Sequence, residues 1–238
     1  MIKQVVSDVL IARSGIVAQI LLAIVIGAFC GLVCDEPLMA FSCAYAILAF
    51  GHCVGMPLWD SQNNWENYRL AMPFSRSQIV RGRYVSALVF MVVGLLCGFA
   101  SLLLVLGVAY SAGGVLGIEG AFAETSLLFG QGMMADFLSA VFVAGISITI
   151  MLLVCNSIQY PLAFKFGMEK AGRYIPIVAV LIIATIVAFG SFMNPEVIIV
   201  EIFAQDQVVI GLIALVVGFV IYGISLMLSM RFYSTREL

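Results

Sequence analysis

Charged residues along this chain fall into short clusters, and between them run six uncharged stretches: 14–34, 37–59, 84–118, 137–164, 174–195 and 207–230. Each is at least as long as the ~20 residues a helix needs to cross the hydrocarbon core of a bilayer. The pattern predicts an all-α integral membrane protein, a single transmembrane domain over residues 1–238. Its six spans lie at about 16–34, 37–59, 84–110, 137–160, 174–193 and 207–230. Ahead of the first span, Ile2, Val5, Val6, Val9 and Leu10 share one helical face, opposite Lys3, Gln4, Ser7 and Asp8. That reads as an amphipathic helix lying in the membrane interface; an extension of the first span is the competing reading. Asp35-Glu36-Pro37 makes a tight turn into the second span, which ends at Trp59, a residue type that anchors at interfaces.

The longest densely polar segment runs from Leu58 to Tyr84. Asn63 or Asn64 caps a short helix whose Trp65, Tyr68 and Met72 recur on one face, with Glu66 and Arg69 one turn apart. Pro73 ends that helix, because proline lacks a backbone donor and restricts the residue before it. Ser75 caps the next, and Gln78 completes the capping box S-x-x-Q. Ile79, Val80 and Tyr84 then lead into the third span. This segment is a structured helical elbow, not a slack loop. Residues 111–135 are mixed, and LLFGQGMM within them is too short to cross. A basic connection from Pro161 to Arg173 follows the fourth span. Asn194-Pro195-Glu196 starts a small helix with Ile198, Ile199, Ile202 and Phe203 on one face.

Composition excludes an ordinary soluble domain: 63% of residues are hydrophobic and 10% charged, against about 25% charged in soluble proteins. A cleaved signal peptide is not expected, since the first span is too long for one and Cys34-Asp35-Glu36 is no small-residue cleavage site. Charge sets the orientation. With the amino terminus in the cytoplasm, all eleven basic residues fall inside: Lys3, Arg13, Arg69, Arg76, Arg81, Arg83, Lys165, Lys170, Arg173, Arg231 and Arg236. The opposite face then carries only acids, Asp35, Glu36, Glu119, Glu124, Asp136, Glu196, Glu201 and Asp206. This satisfies the positive-inside rule and places both termini in the cytoplasm.

Candidate chemistry is sparse. Cys30, Cys34, Cys43, Cys53, Cys97 and Cys155 lie in apolar stretches without CxxC spacing, so packing is favoured over metal or disulfide chemistry. Small-xxx-small pairs at Gly27/Gly31, Gly51/Gly55 and Gly94/Gly98 mark close helix approaches, with packing inside the chain favoured over a dimer interface. His52, the single histidine, and Asn156 sit within spans. A proton relay or substrate contact is one reading of each; a neutral side chain bonded to a neighbouring helix is the better one, because the spans hold no acid. There is no G-x-x-x-x-G-K-[ST], no H-E-x-x-H and no G-x-S-x-G. The chain is therefore expected to be no enzyme and to carry no cofactor or metal of its own. No nucleic-acid partner is expected. The elbow has a plain reading, a basic loop demanded by orientation. The reading preferred is a docking surface for a cytoplasmic partner, because aromatics and arginine are favoured interface anchors.

Trp65-Glu66-x-Tyr68, Met72-Pro73-x-Ser75-Arg76, Ile79-Val80 and Arg83-Tyr84 resemble the W-E-x-Y and L-P-x-S-R elbow of the bacterial type 2 permease family, the membrane subunits of ABC transporters. Lys165-Phe166-Gly167-x-Glu169-Lys170 is similar to that family's K-F-G-x-E-K loop. Met72 replaces its leucine, and Asn64 stands where glycine is common. The resemblance implies a non-enzymatic permease half of an ATP-driven exporter in the bacterial cytoplasmic membrane. A second permease, identical or not, and separate ABC ATPase chains carrying ATP and Mg would complete it. Trp65, Glu66, Tyr68, Arg69, Pro73, Ser75 and Arg76 would form the coupling elbow, and Lys165, Phe166, Gly167, Glu169 and Lys170 a second inner contact. The alternatives are an ATP-independent transporter or channel, and a membrane scaffold or sensor.

Overall fold

The computed structural model describes residues 2–34, 36–62, 75–112, 133–167 and 207–235. These form five helices with no strand among the described residues: α1 (Ile2–Val33), α2 (Pro37–Gln62), α3 (Arg76–Ala112), α4 (Met133–Phe166) and α5 (Gln207–Thr235). Four of them contain stretches long and apolar enough to cross a membrane, Gly15–Val33, Arg76–Val108, Phe137–Phe166 and Val208–Ser234; the apolar part of α2 is the shorter Pro37–Cys53. The first elbow helix with Pro73, the mixed segment after Ala112, the fifth span at 174–193 and the helix after Asn194 lie outside the described residues.

The helices begin and end for local reasons. Cys34 N–H donates to Cys30 O at 2.9 Å as α1 closes, and Pro37 occupies the first position of α2, where its missing N–H costs no hydrogen bond. The amphipathic opening and the first span are one helical segment, since α1 runs unbroken from Ile2. The second elbow helix is likewise the first part of α3 and has no end of its own before Ala112. Its capping box is formed reciprocally: Ser75 N–H donates to Gln78 Oε1 at 3.2 Å, and Gln78 N–H to Ser75 Oγ at 3.3 Å. One boundary differs from the sequence reading. Pro161 was expected to open a connection, yet it lies inside α4, which continues to Phe166. Gly167 ends that helix at φ 93°, its N–H donating to Ala163 O at 3.0 Å. This is a left-handed cap that glycine adopts without steric cost.

The chain packs as two compact units, with α1, α2, α3 and α4 contributing to both. One unit comprises residues 5–51 and 86–149. Its core gathers Ala23, Leu48, Phe90 and Cys97, with Ile16, Ile20, Ile24, Ile47 and Val93 against them. Glycines set how closely its helices approach. A Cβ on Gly27 would lie 2.6 Å from Ala44 Cβ and 2.8 Å from Ala40 O, and one on Gly98 would lie 2.9 Å from Phe41 O. Tyr45 caps this packing with a polar contact: Thr149 gives its proton to Gly145 O at 2.7 Å, so Tyr45 donates to Thr149 at 2.8 Å.

The second unit comprises residues 1–4, 52–85 and 150–238. Here polar side chains are buried among apolar ones, while large aliphatic side chains are exposed. Ile213, Val216, Val220, Ile224 and Met227 of α5 are exposed, while Ser225 and Ser229 of the same helix are buried. Such a contiguous apolar exterior marks a surface made for something other than water. A polar interior with an apolar exterior is how a membrane helix meets its neighbours through hydrogen bonds and lipid through aliphatic groups.

Candidate functional site

The second unit holds two polar features: a buried knot, and a cluster where three helix ends meet. The knot begins with two prolines. A proline in a helix supplies no N–H, so the carbonyl four residues earlier loses its partner. Pro161 in α4 thereby frees Ser157 O, and Ser225 Oγ of α5 donates to that carbonyl at 2.7 Å. Pro57 in α2 frees Cys53 O, and the Gln159 side-chain amide of α4 donates to it.

The hydroxyl protons are ordered by that first bond. Ser225 has one proton and gives it to a carbonyl, so it accepts from Tyr84 Oη at 2.8 Å. Tyr84, its proton spent, accepts from Ser229 Oγ at 2.7 Å. Tyr222 Oη donates to Tyr84 O at 2.8 Å. The rings of Tyr160 and Tyr222 lie 4.9 and 4.8 Å from that of Tyr84, at tilts of 48° and 55°, a favoured aromatic geometry. The Cys53 thiol has one hydrogen and two acceptors, Asn156 Oδ1 at 3.0 Å and Gln159 Oε1 at 2.9 Å. Asn156 is turned to its own helix as well, donating to Leu152 O at 2.9 Å. His52 and Arg83 are buried in the same unit, at 4% and 3% exposure.

At the helix ends, the start of α3 meets the ends of α4 and α5. The Arg76 guanidinium reaches Tyr233 O at 3.4 Å and Ser234 O at 3.3 Å. Those are among the last carbonyls of α5, which have no partner within the helix and attract a cation. Phe164 packs edge-on to Tyr233 with centroids 5.2 Å apart. Lys165 Nζ stands 5.2 Å from the Phe232 centroid and 5.4 Å from that of Phe166, within range of a cation–π attraction.

A family profile described as ABC-2 family transporter protein matches residues 5–234. The chain belongs to the ABC-2 transporter family. It is a membrane permease subunit of an ABC transporter, as the resemblance implied. No curated protein and no solved structure matches it.

Of the residues that the sequence assigned to coupling in this ABC-2 chain, Ser75, Arg76, Lys165, Phe166 and Gly167 are described, and Arg76 and Lys165 are brought to the same helix ends. Trp65, Glu66, Tyr68, Arg69, Pro73, Glu169 and Lys170 lie outside the described residues. Sequence reasoning missed Gln159, Tyr84 as a hub, and the serines of α5. The signal was present: Tyr222, Ser225 and Ser229 are spaced three and four apart in an otherwise apolar span, hence on one face. Arg83, counted in the sequence among the basic residues of the cytoplasmic side, is buried beside the start of the apolar run.

Proposed function

We propose that this chain is the non-enzymatic permease half of an ATP-driven ABC exporter in a bacterial cytoplasmic membrane. The family match over residues 5–234 carries the reading. It spans the membrane six times with both termini inside, pairs with a second permease, and takes its energy from separate ATPase chains that bind ATP and Mg. The elbow is the segment those ATPases push. Two features support that role. The chain lacks a phosphate-loop motif of its own, and the second elbow helix, capped at Ser75, is the start of the long helix α3.

Trp65 and Tyr68 are the anchors of docking, and Arg76 has the added task of holding the end of α5. The test is the affinity of the purified chain, in lipid nanodiscs, for its phosphate-loop ATPase. An interface anchor of this kind is worth about 2 kcal/mol or more, roughly thirtyfold in affinity. Trp65→Ala should weaken binding by that factor while the chain stays folded; Glu119→Ala and Glu196→Ala should leave it unchanged. Normal affinity in a folded Trp65→Ala chain would reduce the elbow to a charged loop.

A further inference from the structure

Pro57 and Pro161 occupy equivalent places. Each lies five residues before the end of its helix, at Gln62 in α2 and Phe166 in α4. Each leaves one carbonyl without its helical donor. In each case a side chain from another helix takes over: Gln159 of α4 donates to Cys53 O of α2, and Ser225 of α5 donates to Ser157 O of α4. Both donors are buried, at 5% and 6% exposure. An unsatisfied carbonyl away from water is costly in a bilayer, so neither donor is incidental.

We infer that Gln159 and Ser225 are positioning residues. They close the two missing rungs and thereby link α2 to α4 and α4 to α5 in series, setting the direction in which α2 and α4 deliver the chain to its two inner connections. Gln159 clasps residue 53 at two points, its amide on the carbonyl and its Oε1 accepting from the thiol. Ser225 is held in register by Tyr84, whose hydroxyl it accepts. A helix with a missing rung bends there at lower cost than elsewhere. In a helix whose rung is carried by a neighbour, that bend is tied to the neighbour's position. Movement at either connection is therefore passed along the series to α5, which Arg76 also grips at its far carbonyls. The assignment of the two side chains stands on the hydrogen bonds alone; its role in coupling rests on the permease reading given above.

The experiment is a pair of mutant cycles on the full chain, read first by thermal unfolding midpoint in detergent. Ser225→Ala should lower the midpoint when Pro161 is present. Made together with Pro161→Ala, the same change should cost less than half as much, because the amide of residue 161 then serves Ser157 O. The lost Tyr84 contact is common to both backgrounds and cancels. Gln159→Leu with Pro57→Ala should behave alike, and Ser225→Thr, which keeps the hydroxyl, should retain the wild-type midpoint. If Ser225→Ala gives no folded protein, recovery of folding by Pro161→Ala is the same positive result. An equal loss in both backgrounds, or no recovery, overturns the assignment.

The second readout separates positioning from bare stability. In nanodiscs with the ATPase, the rescued pair Pro161→Ala with Ser225→Ala should stimulate ATP hydrolysis at least fivefold less than wild type, although more than half of the midpoint loss is recovered. Wild-type stimulation by the rescued pair overturns the positioning role. If the wild-type chain binds no ATPase, the permease reading fails, and the stability cycle, which needs no partner, still decides the two side chains.

Discussion

At Gly27 there is no room for even one more carbon. A Cβ there would sit 2.6 Å from Ala44 Cβ, 2.7 Å from Ser101 Oγ and 2.8 Å from Ala40 O, and two of those three atoms cannot swing aside. Overpacking of this kind costs about 1–3 kcal/mol, so Gly27→Ala should lower the unfolding midpoint clearly. Gly51 meets nothing within 4 Å, and Gly51→Ala should stay within about 0.5 kcal/mol of wild type. Thermal unfolding of the two variants side by side checks this; equal midpoints would contradict the packing described for α1 against α2. The three glycine pairs look alike in the sequence. Gly27/Gly31 and Gly94/Gly98 prove to be close approaches within the chain, as favoured there, while Gly51/Gly55 faces open space. Spacing reports that backbones could meet; only the neighbouring helix decides whether they do.

At the scale of elements, the hydrophobic pattern was read well where local chemistry decides and poorly where a neighbour does. The Ser75 box is purely local, two residues within a span of four satisfying each other, and it was legible in full. The end of α4 was not. Pro161 reads as a stop because it removes a donor, but Ser225, 64 residues further on, supplies the missing bond and the helix continues. No local pattern announces that. The same holds for Gln159, whose partner Cys53 lies 106 residues away. The cap carries its own prediction: Ser75→Ala removes a bond worth about 1 kcal/mol, and hydrogen exchange at the amides of Gln78 and Ile79 should quicken accordingly. Unchanged exchange there would mean that the first turn of α3 is held by other contacts.

For the whole molecule, the described helices expose many large aliphatic side chains, while polar groups such as Tyr84, Ser225, Ser229, Asn156 and Gln159 are buried in the second unit. This arrangement is the structural counterpart of the charge pattern, and together with the family match it makes the chain a membrane permease. The basic residues predict its orientation: reporter fusions after Arg76, after Arg173 and at Leu238 should read cytoplasmic, and those near Asp35, Glu124 and Glu201 external. A cytoplasmic signal at Glu201 would overturn the six-span arrangement. The central claim is that this chain moves with the ATPase stroke but supplies none of it. The most direct test is ATP hydrolysis by the purified chain in nanodiscs, alone and with its phosphate-loop ATPase. The account predicts no hydrolysis above background by the chain alone, and a complex of two permeases with two ATPases that hydrolyses ATP. Sustained hydrolysis by the isolated chain, free of contaminating ATPase, would contradict it.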